Sequence, residues 1–214
     1  MLHSMPTAAL CGLYVIADSS LSQAHSRLDN KVAAAIRGGA RLVQIRDKRP
    51  KPDIAEIQAV ATLCQQYHIP LLINDSIELA LRVGATGVHL GQGDASLKQA
   101  RQQLGDTAII GITCHADIAL ARRAETEGAD YVAFGRFFPS LTKPEAPPAS
   151  IETLQQARQQ LHIPIVAIGG ITPDNGGSLI QAGADMLAVI HGVFGQDDIQ
   201  ATAHKFSQLF EQQD

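Results

Sequence analysis

The side chains best suited to chemistry in this 214-residue chain come in short groups, and the first is Gln44-x-Arg46-x-Lys48. At a spacing of two, an extended segment carries these three on one face and Val43 and Ile45 on the other. An amide, a rigid fork of donors and a point charge suit a polyanion, most simply a phosphate or diphosphate. Two ordinary surface cations at a strand end are the plainer alternative. Asn74-Asp75 and Asp94 add two carboxylates, which together with substrate phosphate oxygens are what Mg²⁺ favours. Asp75 also has a reading as the cap of a helix beginning Asp75-Ser76-Ile77-Glu78. His89 reads as a packed core histidine. The Thr113 hydroxyl suits a polar substrate ring, or equally the cap of a helix beginning near Asp117. Ser140, Thr142 and Lys143 fall in the longest irregular stretch, Gly135 to Pro148, where a lid over an anion competes with a Pro-rich surface loop. Gly169-Gly170 and Ile190-His191-Gly192 let backbone N–H groups approach an anion.

These groups follow apolar runs that can position them. The runs are Gly12–Ala17, Arg41–Arg46, Pro70–Asn74, Gly87–Leu90, Ala108–Thr113, Tyr131–Gly135, Ile165–Gly169 and Met186–Ile190. Nearly continuous apolar character marks strands buried on both faces of a parallel sheet. Between them, Ile54–Tyr67, Leu97–Leu104, Ile118–Gly128 and Ile151–Leu161 show helical spacing. Gly-Ala pairs at Gly39, Gly84, Gly128 and Gly183 recur before strands, where a helix ends and the chain turns back. His68-Ile69-Pro70 and His162-Ile163-Pro164 also lead into strands, so these histidines read as structural. With eight strands, eight helices and no break in composition, residues 1–214 read as a single (β/α)8 TIM barrel, with a doubly wound open sheet as runner-up. In a barrel, chemistry gathers at the C-terminal strand ends, and loops after strands seven and eight commonly form a phosphate site.

Bulk properties narrow the partners. The hydrophobic fraction is 45% and the charged fraction 18%, as in an ordinary globular domain. A net charge of −4 with no long basic run argues against nucleic acid or an anionic membrane surface. Cys11, Cys64 and Cys114 lack metal-type spacing and read as thiols in a reducing compartment; Cys114 has no partner that would make it a nucleophile. Neither a secretory signal nor a run of membrane-spanning length is evident, so the expected compartment is the cytoplasm.

Taken in order, Gln44-x-Arg46-x-Lys48, Asn74-Asp75, Gly87-Val88-His89-Leu90-Gly91-Gln92-x-Asp94, Gly111-x-Thr113, Pro139-Ser140-x-Thr142-Lys143 and Ala167-Ile168-Gly169-Gly170-Ile171 resemble the thiamine-phosphate synthase family. Single motifs are weak; six in order over nearly the whole chain are specific. The resemblance implies a transferase of thiamine biosynthesis that joins an aminopyrimidine methyl diphosphate to a (carboxy)thiazole phosphate, giving thiamine monophosphate and pyrophosphate with Mg²⁺. It further implies that Gln44, Arg46, Lys48, Asn74, Thr113 and Lys143 hold the pyrimidine diphosphate and that Asp75 and Asp94 bind the metal. Ser140, Leu141 and Thr142 would contact the thiazole side, and Gly170, Ile190 and His191 its phosphate. Thr113 stands where Ser is usual, Ser140 where Thr is usual, His191 where Ser is usual, and Arg136-Phe137 in place of a Pro-Ile-type pair.

The implied chemistry is dissociative, with pyrophosphate leaving first and the thiazole nitrogen attacking the resulting cation. Arg46, Lys48, Thr113 and Lys143 would be the catalytic set. Small-molecule substrates are the expected partners, and a homo-oligomer is compatible with the sequence. Two rivals stand beside this reading. One is a thiazole tautomerase on the same fold, using His115 for proton transfer. The other is a non-catalytic sensor of phosphate ligands.

Overall fold

Alternation within each strand decides which side chains enter the middle of the molecule. In the computed structural model, which describes residues 10–19, 27–140 and 147–211, β1 (Gly12–Asp18) is buried along its whole length. Tyr14 and Ile16 turn inward to an interior cluster with Leu42, Leu72 and Val166. Their neighbours Leu13, Val15 and Ala17 turn outward to the layer under the helices. The same split runs through β2 (Ala40–Arg46), where Leu42 and Gln44 alternate with the outward Val43 and Ile45. Two apolar layers, one inside the sheet and one around it, account for strands without a polar face.

The remaining strands are β3 (Leu71–Asn74), β4 (Gly87–Leu90), β5 (Ile109–His115), β6 (Tyr131–Gly135), β7 (Ile165–Ile168) and β8 (Met186–Val189). All pair in parallel and in chain order, and β8 returns to β1 through Gly12–Met186 to Val15–Val189. That last pairing closes the barrel and rules out the open doubly wound sheet. Gly87 is where the wall is tightest, since a Cβ there would lie 1.8 Å from the carbonyl oxygen of Ile109.

Helices α1 (Leu28–Arg37), α2 (Ile54–Gln66), α3 (Ile77–Val83), α4 (Leu97–Leu104), α5 (Ile118–Thr126), α6 (Ile151–Gln160), α7 (Pro173–Gln181) and α9 (Ile199–Glu211) surround the strands. The four-residue α8 (His191–Phe194) follows β8 and is one turn more than the sequence pattern suggested. Side-chain oxygens start several helices by accepting orphan backbone N–H groups, as Asp53 does for Glu56 and Ser96 for Gln99. At the other ends, Gly39, Gly84, Gly128 and Gly183 adopt φ of +102°, +66°, +93° and +111°. This is the turning-back conformation anticipated for the recurrent Gly-Ala pairs. Among the described residues no helix is long and apolar enough to cross a membrane.

Candidate active site at the C-terminal mouth of the barrel

Parallel strands aim every C-terminal end at the same pole, and there a cavity of about 560 Å³ opens. Gln44, Arg46, Lys48, Asn74, Asp75, Asp94, Thr113, Ser140, Gly170, Ile190 and His191 all line it. Each described residue assigned to the site from the sequence is therefore at one mouth. Leu141, Thr142 and Lys143 lie outside the described residues. A second hollow, of about 850 Å³, opens at the opposite pole between the strand starts and α9, away from the strands' carboxyl ends.

The cations do not face the cavity as bare charges. Arg46, at the end of β2, forms an ion pair with Asp18, at the end of β1, where the register sets the two side by side. Asp18 is only 2% exposed and the Arg46 side chain 18%. Lys48 Nζ lies 2.5 Å from Asp75 Oδ2. Asp75 sits just past β3 with φ of +64°, and its backbone N–H donates to His89 O. Ser76, not Asp75, caps α3, accepting from Leu79 N at 3.1 Å, so the capping reading of Asp75 falls and its carboxylate is left for the cavity.

Asp94 joins Asp75 from the loop after β4, where its Oδ2 accepts from Gly91 N at 2.7 Å. Partial desolvation and the neighbouring Asp75 carboxylate push the Asp94 carboxyl above the usual range. Asp75 is held below it: burial opposes the shift, but Lys48 and the hydrogen bond with Asp94 outweigh burial. Two carboxylates crowded this way suit a hard divalent cation that takes oxygen ligands and retains water. Among the described residues no cluster of three or more His, Cys, Asp or Glu exists to make an all-protein metal cage. The donor set thus fits Mg²⁺ shared with a phosphate-bearing ligand and fits a structural zinc poorly.

The cavity floor is a row of hydrogen bonds across six strands. Gln44 Nε2 donates to Asn74 Oδ1 at 2.7 Å, and Tyr14 OH donates to Gln44 Oε1 at 2.6 Å. Tyr14 and Tyr131 hydroxyls are 3.0 Å apart. His89 bridges Tyr131 OH through Nδ1 and Thr113 Oγ1 through Nε2, both at 2.8 Å. His89 is therefore a bonded member of the floor and not a merely packed core histidine. Thr113 is not a helix cap either; Asp117 caps α5, accepting from the N–H groups of Ala119 and Leu120.

On the far side, backbone shapes the site. Gly169 and Gly170 have φ of +106° and +65°, and a Cβ on Gly170 would lie 2.3 Å from Pro139 O. Behind them Thr172 and Asn175 form a capping box, with Pro173 in the first turn of α7. Ile190 precedes α8, and a Cβ on Gly192 would lie 2.5 Å from Ile171 O, so the loops after β7 and β8 abut closely. The His191 ring lies over Gly195, on its own short helix.

Asp18, Tyr14 and Tyr131 were not singled out from the sequence. A faint signal existed: Tyr14 and Tyr131 are two of only three tyrosines, both within apolar strands, and a buried phenol usually seeks a polar partner.

A closed (β/α)8 barrel with two carboxylates, two paired cations and two glycine loops around one C-terminal cavity has the make-up of an enzyme acting on phosphorylated small molecules. A family model described as thiamine monophosphate synthase matches residues 13–193. A thiamine-phosphate synthase of Alcanivorax borkumensis is 51% identical over 212 residues, covering 97% of each chain. One from Marinobacter nauticus is 54% identical over 203 residues, covering 93% of this chain and 90% of its own. Among solved structures, the thiamine phosphate pyrophosphorylase from Pyrococcus furiosus superimposes with a TM-score of 0.85 at 31% identity, covering 95% of this chain and 97% of its own. The chain belongs to the thiamine monophosphate synthase family.

Proposed function

We propose that this enzyme makes thiamine monophosphate by joining 4-amino-2-methyl-5-pyrimidinylmethyl diphosphate to a (carboxy)thiazole phosphate, with release of pyrophosphate and, from the carboxylated thiazole, of carbon dioxide. The observation that carries the reading is the convergence of Gln44, Arg46, Lys48, Asn74, Asp75, Asp94 and Thr113 on one cavity. Gln44, Asn74 and Thr113 hold the pyrimidine. Arg46 and Lys48, with Lys143 assigned from its sequence motif alone, bind the diphosphate. The backbone at Gly170 and Ile190 takes the thiazole phosphate, with Ser140, Leu141 and Thr142 against the ring side. His191 contributes through its backbone N–H, since its ring packs on Gly195.

Asp75 and Asp94 are the proposed holders of Mg²⁺, which when bound supplies positive charge to the diphosphate oxygens. As the carbon–oxygen bond to the diphosphate breaks, the electron pair leaves with pyrophosphate and the aminopyrimidine carries the cation at its methylene. The thiazole nitrogen then donates its lone pair to that carbon. This chemistry asks the protein for preorganised charge and exclusion of water, not for a covalent nucleophile. Lys48 and Arg46 fit the task because Asp75 and Asp18 hold their head groups beforehand. The buried thiols of Cys64 and Cys114, both pushed up to about 12 by burial, are poor nucleophiles and agree with a reducing, cytoplasmic setting.

Incubation with both substrates and Mg²⁺ tests the reading. Thiamine monophosphate and pyrophosphate should appear in equal amounts. Isomerised thiazole without pyrophosphate would establish the tautomerase instead, and tight binding without turnover would establish the sensor.

A further inference from the structure

The row of hydrogen bonds on the cavity floor has a direction once His89 is taken as the neutral imidazole, and counting protons then fixes it. Burial raises the Tyr14 and Tyr131 phenols well above their ordinary range, so each keeps one hydroxyl proton. Tyr14 uses its proton on Gln44 Oε1, at 2.6 Å. Across the 3.0 Å contact the donor is then Tyr131, whose own proton goes to the Tyr14 oxygen. With that proton taken, Tyr131 can only accept from His89, so Nδ1 carries the hydrogen at 2.8 Å. A neutral imidazole with Nδ1–H has a bare Nε2, which accepts from Thr113 Oγ1 at 2.8 Å. At the other end Gln44 Nε2 donates to Asn74 Oδ1. Five bonds therefore run one way, from Thr113 through His89, Tyr131, Tyr14 and Gln44 to Asn74.

The two ends both line the cavity and show it opposite faces. Thr113 has its proton turned inward and presents lone pairs. Asn74 has its carbonyl oxygen occupied and presents amide hydrogens. We propose that Tyr14, Tyr131 and His89 are positioning residues that fix the donor–acceptor polarity of the floor, so that it selects a ring offering an N–H to Thr113 and a lone pair to Asn74. The inference rests on the function proposed above and deepens it by naming the ring edges: the exocyclic amine at Thr113, a ring nitrogen at Asn74. A ring with an oxo group in place of the amine sets lone pair against lone pair at Thr113. A site built to receive one hydrogen-bonding group rejects an analogue that leaves its polar groups unmatched.

None of the three touches the reacting carbon in this scheme, so their role is read through selectivity and protonation. With histidine labelled in ¹⁵N, the resonance lost in His89→Gln identifies His89, and the wild-type protein should show Nδ1–H and a bare Nε2. A proton on Nε2 overturns the proposal: alone it means that the Gln44 amide is turned over and the whole row runs the other way, and beside Nδ1–H it means an imidazolium that donates to Thr113. Tyr131→Phe removes the acceptor from Nδ1–H; the proton should move to Nε2, turning the Thr113 hydroxyl toward the ligand. Selectivity in kcat/KM for the amino over the oxo pyrimidine diphosphate should then fall roughly tenfold or more, chiefly through KM. A proton that stays on Nδ1 in Tyr131→Phe overturns the relay. A moved proton with unchanged selectivity overturns the ring-edge assignment. Failure of the parent reading looks different: no thiamine monophosphate from wild type, with the imidazole proton still where the row requires it.

Discussion

Arg46→Met takes the guanidinium away from a carboxylate that the fold buries to 2% exposure. Removing one partner of a buried pair typically costs about 3–5 kcal/mol, because the remaining charge has lost its compensation. Here the Arg46 side chain is 18% exposed, so water screens its side of the pair and the low end applies. For a domain of this size each kcal/mol lowers the melting temperature by about 2–4 °C, so a loss of about 3 kcal/mol corresponds to a fall of about 6–12 °C. Thermal melts and urea titrations, with an unchanged urea slope, measure it. Asp18→Asn in the Arg46→Met background removes the buried charge that Arg46 offset and should recover part of that stability. Turnover should behave otherwise: Arg46→Met, Asp18→Asn and the double variant should all stay slow, since the proposed diphosphate site still lacks a positioned guanidinium. A melting temperature for Arg46→Met within about 2 °C of wild type would refute the structural half of the argument. Wild-type turnover in the double variant would refute the chemical half.

Further expectations follow from the same geometry. Lys143→Ala should lower turnover by about 10²–10³-fold without changing the melting temperature, as loss of one preorganised charge does; turnover within twofold of wild type would remove Lys143 from the set. The raised Asp94 carboxyl means that the metal-free fold binds its proton more tightly than the unfolded chain does, so ionisation of Asp94 subtracts stability as pH rises from near 4 through its folded value. Asp75, shifted down, acts oppositely: its stabilisation is present above its unfolded pKa and is lost as pH falls below that value. Metal-free Asp94→Asn should therefore melt no lower than wild type at neutral pH, while added Mg²⁺ should stabilise wild type far more than the variant. Gly170→Ala, with φ of +65° and a Cβ 2.3 Å from Pro139 O, should displace the loop after β6 and raise KM for the thiazole phosphate more than for the diphosphate. In native protein a thiol reagent should label Cys11, which is exposed, and spare Cys64 and Cys114 until the chain unfolds.

The barrel was legible because its signals are local. Doubly buried strands need continuous apolar runs, and helix ends need glycine where φ turns positive, as at Gly84 and Gly128. Inward alternation of Gln44 and Arg46 could likewise be read from a period of two. The pairing of charges was not legible, because Asp18 meets Arg46 only once β1 and β2 are in register. Tyr14 and Tyr131 lie 117 residues apart in sequence and touch only when the sheet closes. The helix-cap alternatives for Asp75 and Thr113 stayed open for a related reason. Ser76 and Asp117, close along the chain, compete for the same role, and backbone geometry decides between them.

In the proposed chemistry a diphosphate departs beside two crowded carboxylates. The most direct test is turnover after exhaustive chelation, followed by titration with Mg²⁺, in wild type and Asp94→Asn. No thiamine monophosphate should form until Mg²⁺ returns, and the half-saturating concentration should be at least roughly tenfold higher in the variant. Undiminished turnover in the chelated enzyme, or identical titrations for the two proteins, would contradict that chemistry.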